Sequence, residues 1–377
     1  MKIKAVEIQS LRLPVNRPHQ MAIGTTHFQE NVVVRLIAED GSFGWGEAPH
    51  MVGHSQLGET PHTVRVVLRH KLVPAILGKS FMDREALTLA LDRAVPGNGR
   101  AKGALLMAAY DLSGKALDTP VYNLMGGKVR DAIPLSWSLP IVETEKVVTE
   151  ALQMVERGWR ILKIKAGRSN GMDDVEVVRA VREAVGNEIS LRVDVNQGYD
   201  LKTAYRVLQA LEPYNLDFVE QPIHADNIEG MVELTRRSSI PIMADESVKS
   251  SIGQLAVLAK ARAADAISIY IIGPGGPGNS KKMAAIVQTF NMRGYVGGAL
   301  ESIIGASAGL HLAASSPAID LGCEMSGQYL LKEDLGKEMI PMKDGALVVP
   351  TAPGLGVDID EEKLIKYREG DVETLSV

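Results

Sequence analysis

Four short segments decide the fold: ILKIKA at residues 161–166, SLRVDVNQ at 190–197, DFVEQP at 217–222 and IPIMADES at 240–247. Each is an apolar, largely β-branched run that carries ionisable residues toward its end. The steps between those residues are regular, with 29 residues from Lys165 to Asp194, 26 to Glu220, 25 to Asp245 and 25 more to Tyr270. One strand, one helix and their loops fill such a step. Alternation along a strand puts Lys163 with Lys165, Asp194 with Asn196, and Met243 with Asp245 on one face, leaving Ile164, Val193, Val195, Ile242 and Ala244 on the other. Loop-forming residues follow each charged end: Gly167, Gly198, Pro222 and Ser247.

Outward from these four, the same run-and-helix alternation predicts strands at 133–139, 160–166, 190–196, 217–221, 240–245, 265–271, 294–300 and 319–324. The helix after the second has Asp173 or Asp174 near its start and a stripe of Val175, Val178, Val181 and Val185. Strands separated by helices must pair in parallel, because only a crossover returns the chain to the same edge. Eight units in roughly 200 residues favour a closed α/β barrel over an open doubly wound sheet. The N-terminal part reads differently. Residues 2–15 alternate like a strand, and Val32–Ile37 joins Ser42–Glu47 through the turn dipeptide Asp40-Gly41. Three helical stretches follow, the clearest at 102–117, where Leu105, Ala108, Ala109, Leu112 and Ala116 share a face. Gly126-Gly127 marks a boundary. The expected division is an α+β domain over 1–126, joined by the returning tail 350–377, and a barrel over 127–349.

The 377 residues carry 41 Lys+Arg against 46 Asp+Glu, a formal charge of −5 without a long basic run, so neither nucleic acid nor an anionic membrane is an expected partner. The single Cys323 cannot form an intrachain disulfide. MKIKAVEIQS lacks the apolar core of a secretory signal, and no apolar stretch approaches the ~18 residues of a membrane span, so a cytoplasmic location is expected.

In a parallel barrel the C-terminal strand ends are neighbours, so residues recurring at those ends converge on one mouth. Asp194, Glu220 and Asp245 would repel one another there unless a hard divalent cation with oxygen ligands joined them. Mg²⁺ is the expected ion, with Mn²⁺ as a substitute; the lack of Cys and His at these ends argues against zinc. Lys163 and Lys165, their pKa values lowered by the cation, would then supply a base and a charged hydrogen-bond donor. Metal plus lysine suits an enolate-type intermediate beside a carboxylate.

These segments together resemble the successive motifs of the enolase superfamily, specifically the muconate-lactonizing subgroup of the mandelate racemase/muconate lactonizing enzyme family, over nearly the whole chain. The resemblance implies a modified (β/α)7β barrel of the TIM type under an α+β capping domain. By it Asp194, Glu220 and Asp245 are metal ligands, Lys165 is the acid/base and Lys163 its electrostatic partner. Arg17-Pro18-His19 and the loop from Gly46-Glu47-Ala48 to Gly58-Glu59 resemble the two stretches that close over substrate in that family. On these stretches His19 and His54 read as substrate contacts or as exposed loop histidines. Glu301-Ser302 and the run from Glu324 to Asp334 also resemble muconate cycloisomerase segments, which adds Glu301 and Glu324, with Asn196, as expected substrate contacts. The resemblance also implies a homo-oligomer. One position departs: where the family places a second lysine at the end of the sixth strand, this chain has Tyr270. A phenol of ordinary pKa about 10 is a poor base near neutrality but can donate a hydrogen bond, so Tyr270 reads as a substrate contact or as a space-filling barrel aromatic.

Racemisation of an acyl-amino acid wants bases on both faces, and Tyr270 weakens that reading. Glu324-Met325-Ser326 also lacks the acidic pair with which dipeptide epimerases grip an ammonium group. A muconate cycloisomerase-like reaction, in which Mg²⁺ holds a dicarboxylate and Lys165 transfers the proton beside the bound carboxylate, is the leading expectation, because one lysine suffices for it. A one-base dehydratase and an o-succinylbenzoate synthase-like lyase survive on the same ground. A non-catalytic relative is the reading least favoured, since all three acids and both lysines are present.

Overall fold

The computed structural model describes residues 1–22, 24–51, 58–248 and 251–377. The chain begins as three antiparallel strands, β1 (Ile3–Met21), β2 (Gly24–Ala38) and β3 (Phe43–Met51). β2 turns into β3 at Asp40-Gly41, where Gly41 takes φ 85° and the Asp40 carboxylate accepts from Ser42 N and Oγ. A glycine enters that left-handed region without steric cost. Gly46, Glu47 and Ala48, expected in a loop over the substrate, instead lie within β3 opposite Val34, Val33 and Val32.

Helices Pro61–Val67, Arg84–Ala94 and Gly99–Ala116 cover this sheet. The last was expected to bury one stripe, yet burial runs unbroken from Arg100 to Gly114 while Ala116 is exposed. Two-sided packing is the reason. On the sheet side, a Cβ on Gly44 would stand 2.2 Å from Ala108 O and one on Gly46 1.9 Å from Ala104 O, so only glycine lets strand and helix touch. β3 thus descends the helix, and its end meets the helix N-terminus where Arg100 Nη1 donates to Pro49 O. There the Glu59 carboxylate accepts from Arg100 N at 3.0 Å and Ala101 N at 3.3 Å, placing negative charge at the positive end of the helix. On the barrel side, Gly99 and Gly103 press on the backbone of Gly273 and Ile272.

The second part supplies β4 (Ala132–Pro134), β5 (Ser136–Leu139), β6 (Ile161–Lys165), β7 (Ser190–Asp194), β8 (Leu216–Glu220), β9 (Ile242–Ala244), β10 (Ala266–Ile269), β11 (Arg293–Val296) and β12 (Ile319–Cys323). β5 to β12 form one parallel eight-stranded sheet in chain order, and a bridge between Leu135 and Cys323 brings its two edges together. The run expected as one strand at 133–139 is divided. β4 leaves the barrel to pair antiparallel with β14 (Ala346–Val348), itself paired with β13 (Met342–Lys343). The tail ends as β15 (Arg368–Ser376), which adds to the first sheet in the order β15-β1-β2-β3.

Inside the barrel the alternation read from sequence is kept: Val193, Val195, Ile164 and Ala244 join the large apolar core, and Arg192 lies among Phe218 and Tyr295, its guanidinium 4.9 and 5.3 Å from their ring centres. Among the described residues no helix is long and apolar enough to cross a membrane.

Candidate active site

The register of the barrel aligns the charged ends. Lys165 pairs with Asp194 and Asp194 with Glu220, while Glu220 faces Met243, so Asp245 stands two residues farther up its strand. All are buried, Lys163 to 1%, Lys165 to 5%, Asp194 and Asp245 to 1% and Glu220 to 2% exposure, so their charges interact in a poorly screened medium. Lys165 Nζ lies 2.6 Å from Asp194 Oδ2 and 3.2 Å from Asn196 Oδ1. Lys163 Nζ lies 2.6 Å from Glu324 Oε2, 3.0 Å from Glu220 Oε2 and 3.5 Å from Asp194 Oδ2.

These pairs set the protonation states. Burial raises the Asp194 carboxyl, but Lys165 and Lys163 outweigh it and hold Asp194 well below the usual carboxylate range. Glu220 goes the other way, driven up by burial and then by the charges of Asp194 and Asp245. For Lys163 burial lowers the ammonium group's pKa, but the charges of Glu220, Glu324 and Asp194 together raise it well above its ordinary value. Tyr270 follows β10 directly and is 7% exposed; burial, then the charges of Asp245, Glu220, Glu324 and Glu246, push its phenol well above its ordinary value. It keeps its proton.

Loops after the strands are tied down by side chains. Asp174 does not cap its helix; it accepts from Gly167 N and Arg168 N, both at 2.9 Å, and from Tyr199 Oη at 2.7 Å, so it anchors the turn that follows Lys165. Asn196 takes φ 45°, donates N–H to Asp194 Oδ1 at 3.0 Å and donates Nδ2 to Glu246 Oε1 at 3.1 Å. Gln221 Oε1 accepts from Asp245 N at 3.0 Å, Ser247 N at 3.2 Å and Ser247 Oγ at 3.1 Å, which fixes the strand end that carries Asp245.

Glu301 lies ahead of helix Ile303–Ser315, 1% exposed, with Oε2 accepting from Ala299 N at 2.8 Å. Burial pushes its carboxyl up to about 7. Behind it Glu47 accepts from Asn31 Nδ2, Ser302 Oγ and Gly305 N, and burial raises it to about 8. The structure therefore brings Lys163, Lys165, Asp194, Asn196, Glu220, Asp245, Tyr270 and Glu324 to one mouth, with Glu301 beside Glu324. His54 lies outside the described residues, as does the side chain of His19, whose backbone pairs with Thr26 in β1 and β2. Arg100 was not singled out from sequence, and Gln221 and Glu47, though they stand in quoted segments, were given no role of their own. Gln221 sits beside Glu220 in a quoted segment, whereas Arg100 opens a helix whose period names only its apolar residues.

The donor set suits a hard cation. Three buried carboxylates at neighbouring strand ends offer oxygen alone, and with Glu324 they set four acids against the two ammonium groups of Lys163 and Lys165, a deficit that a divalent ion balances. As placed, the acids are not drawn into a cage: among the described residues no three His, Cys, Asp or Glu side chains stand ready to hold an ion, and Lys163 lies between Asp194 and Glu220.

Comparison with known proteins agrees with this geometry. Residues 4–126 match the family model described as the mandelate racemase/muconate lactonizing enzyme N-terminal domain, and residues 146–363 match the enolase C-terminal domain-like model. A chloromuconate cycloisomerase of Delftia acidovorans is 36% identical over 368 residues, 97% of this chain and 99% of that protein. The crystal structure of a muconate lactonizing enzyme from Pseudomonas fluorescens complexed with muconolactone superposes with a TM-score of 0.94 at 36% identity, covering 98% of this chain and 99% of that one. An N-succinyl Arg/Lys racemase from Bacillus cereus superposes over the full length of both chains with a TM-score of 0.95 at 31% identity. Barrel, cap, strand-end acids and full-length likeness meet in one conclusion: the chain is an enzyme of the enolase superfamily and belongs to its mandelate racemase/muconate lactonizing enzyme family.

Proposed function

We propose that this enzyme is a Mg²⁺-dependent cycloisomerase of the muconate-lactonizing kind, acting on a small carboxylate with Lys165 as its single base. The observation that carries the reading is that the strands bearing Lys165 and Tyr270 stand four apart in the eight-stranded sheet, with an amine at the end of one and, at the end of the other, a phenol that keeps its proton. Proton transfer is then confined to the Lys165 face, which cycloisomerisation permits and two-sided racemisation does not.

Asp194, Glu220 and Asp245 would hold the ion, with Mn²⁺ as a substitute. When bound it neutralises the substrate carboxylate and the negative charge that grows beside it. Lys165 moves the proton at the carbon next to that carboxylate, and Asn196 holds the ammonium group in place through its 3.2 Å contact. Lys163, tied to Glu220 and Glu324, remains charged and supplies fixed positive potential. Asn196, Tyr270, Glu301 and Glu324 line the substrate side. We take residues 1–126 with 350–377 as the cap and 127–349 as the catalytic barrel, in a homo-oligomer.

A one-base dehydration is the second reading, favoured by the same Lys165–Tyr270 asymmetry. The test is loss of the diene absorbance of cis,cis-muconate with Mg²⁺, with a chelator control and the variants Lys165→Ala and Tyr270→Phe. Expected are chelator-sensitive turnover, a loss of at least about 10³-fold in Lys165→Ala, within the range of general acid–base catalysis, and a change under tenfold in Tyr270→Phe. Abolition by Tyr270→Phe would make the phenol a second acid. No turnover by the native enzyme would move the assignment to dehydration.

A further inference from the structure

The loop that carries Glu301, residues 297–302 between β11 and helix Ile303–Ser315, contains a strained backbone. Leu300 takes φ 58° although it is not a glycine, and it is buried. A bulky residue in the left-handed region costs free energy, and such a conformation persists only where its surroundings fix it. On the barrel side the seat is tight: a Cβ on Gly298 would stand 2.7 Å from Glu324 O, and one on Gly327 1.8 Å from Glu301 O.

The remaining hold comes from the cap. Alternation along β2 turns Val32 and Val34 to the cap helices and Val33 to the barrel core, so Gln29 and Asn31 share the barrel-facing side with Val33. Both are fully buried. Gln29 Nε2 donates to Ala299 O and to Asn31 Oδ1, each at 2.9 Å. Asn31 Nδ2 donates at 2.9 Å to Glu47 Oε2, which also accepts from Ser302 Oγ at 2.6 Å. Two cap strands thus grip the loop on either side of Leu300. Ala299, the residue before the strained one, has both backbone groups engaged, its O by Gln29 and its N–H by Glu301 Oε2 at 2.8 Å. Gln29 Oε1, meanwhile, is buried without a hydrogen-bond partner among the described residues. An unpaired buried amide oxygen is destabilising, so stability alone does not account for a glutamine here.

We infer that Gln29 is a positioning residue: by holding Ala299 O it keeps the loop in the strained form that sets Glu301 beside Glu324. The inference rests on the reading above that Glu301 lines the substrate side. It assigns the cap strand β2 a part in placing a side chain of the barrel mouth.

Two measurements on the full-length protein test it, with Gln29→Leu as the variant. The first is hydrogen exchange read by mass spectrometry. Exchange across residues 298–304 is expected to quicken at least about tenfold, while residues 32–37, in the centre of the same strand, change by less than about threefold. An unchanged loop overturns the inference, and so does an equal rise in both segments, which would mean a loosened sheet. The second is turnover of cis,cis-muconate with Mg²⁺. Displacing a substrate contact should raise KM at least about fivefold with kcat within about threefold, whereas a loss of folded enzyme lowers the apparent kcat and leaves KM alone. In a Glu301→Gln background the same substitution should change KM by less than about twofold. A fall in kcat alone, or a KM effect that persists in that background, overturns the positioning role. Should Gln29→Leu fail to melt cooperatively, Gln29→Asn, which keeps the amide but withdraws it by one methylene, is read in its place. If the native enzyme does not turn over muconate, the reaction assigned above fails, and exchange at the loop decides the inference by itself.

Discussion

The Tyr270 ring fills space that exists because residue 297 has no side chain: a Cβ on Gly297 would lie 2.6 Å from Cε2 of Tyr270 and 2.3 Å from Ser268 Oγ. Gly297 cannot retreat freely, since its N–H donates to Ile269 O at 3.2 Å. The phenol in place of a lysine and the glycine on the neighbouring strand are thus one steric arrangement. Gly297→Ala should overpack the mouth and destabilise the enzyme by about 1–3 kcal/mol, read as a lowered thermal midpoint. An unchanged midpoint would mean that the ring yields without resistance.

Gln221 holds Asp245 from behind, accepting from Asp245 N and from both donors of Ser247. Groups that orient metal ligands affect affinity without touching the ion, typically by about 10–100-fold when removed. Gln221→Leu should therefore weaken Mg²⁺ binding by that factor in calorimetry while Lys165 and Asp194 keep their contact. Affinity equal to the native value would show that Asp245 is positioned by its strand alone.

Much of this site was legible before any coordinates. Lys165, Asp194, Glu220 and Asp245 are strand-end residues one unit apart, and the barrel's register and alternation convert that spacing into adjacency. What spacing cannot convey is contact between parts distant in sequence. Glu47 reads as one polar residue in a hairpin, and only the docking of β3 on helix Ile303–Ser315 gives it Ser302 and Gly305 as partners. The burial of Arg100 is hidden for the same reason: the glycines near it, Gly99 and Gly103, press on the barrel loop at Gly273 and Ile272, some 170 residues away in the chain. The division of 133–139 was also invisible, because β4 is claimed by β14, more than 200 residues later.

Glu47 gives the fold a pH dependence. Its carboxyl ionises near 4.5 in a solvated chain but at about 8 in the folded one, chiefly because burial disfavours the charged form. The folded state therefore holds a proton that the unfolded state releases. The stabilisation is present below about 4.5 and is lost as pH rises toward 8. Glu47→Gln removes the titration, so the native protein's stability relative to this variant should fall steadily in denaturant melts between pH 5 and pH 8. A difference independent of pH would show that Glu47 is not held neutral.

Lys163 is the cation around which Asp194, Glu220 and Glu324 are gathered, at 3.5, 3.0 and 2.6 Å. Lys163→Met fills similar volume and leaves three acids in a poorly screened interior without it, a change of the kind that costs about 3–5 kcal/mol for a buried pair. A divalent ion bound by Asp194 and Glu220 would restore part of that balance. The variant should melt well below the native enzyme when free of metal, and Mg²⁺ should raise its midpoint more than it raises the native one. If Mg²⁺ stabilises both equally, the ion does not share its carboxylates with Lys163, and the assignment of Glu220 as a ligand fails with it.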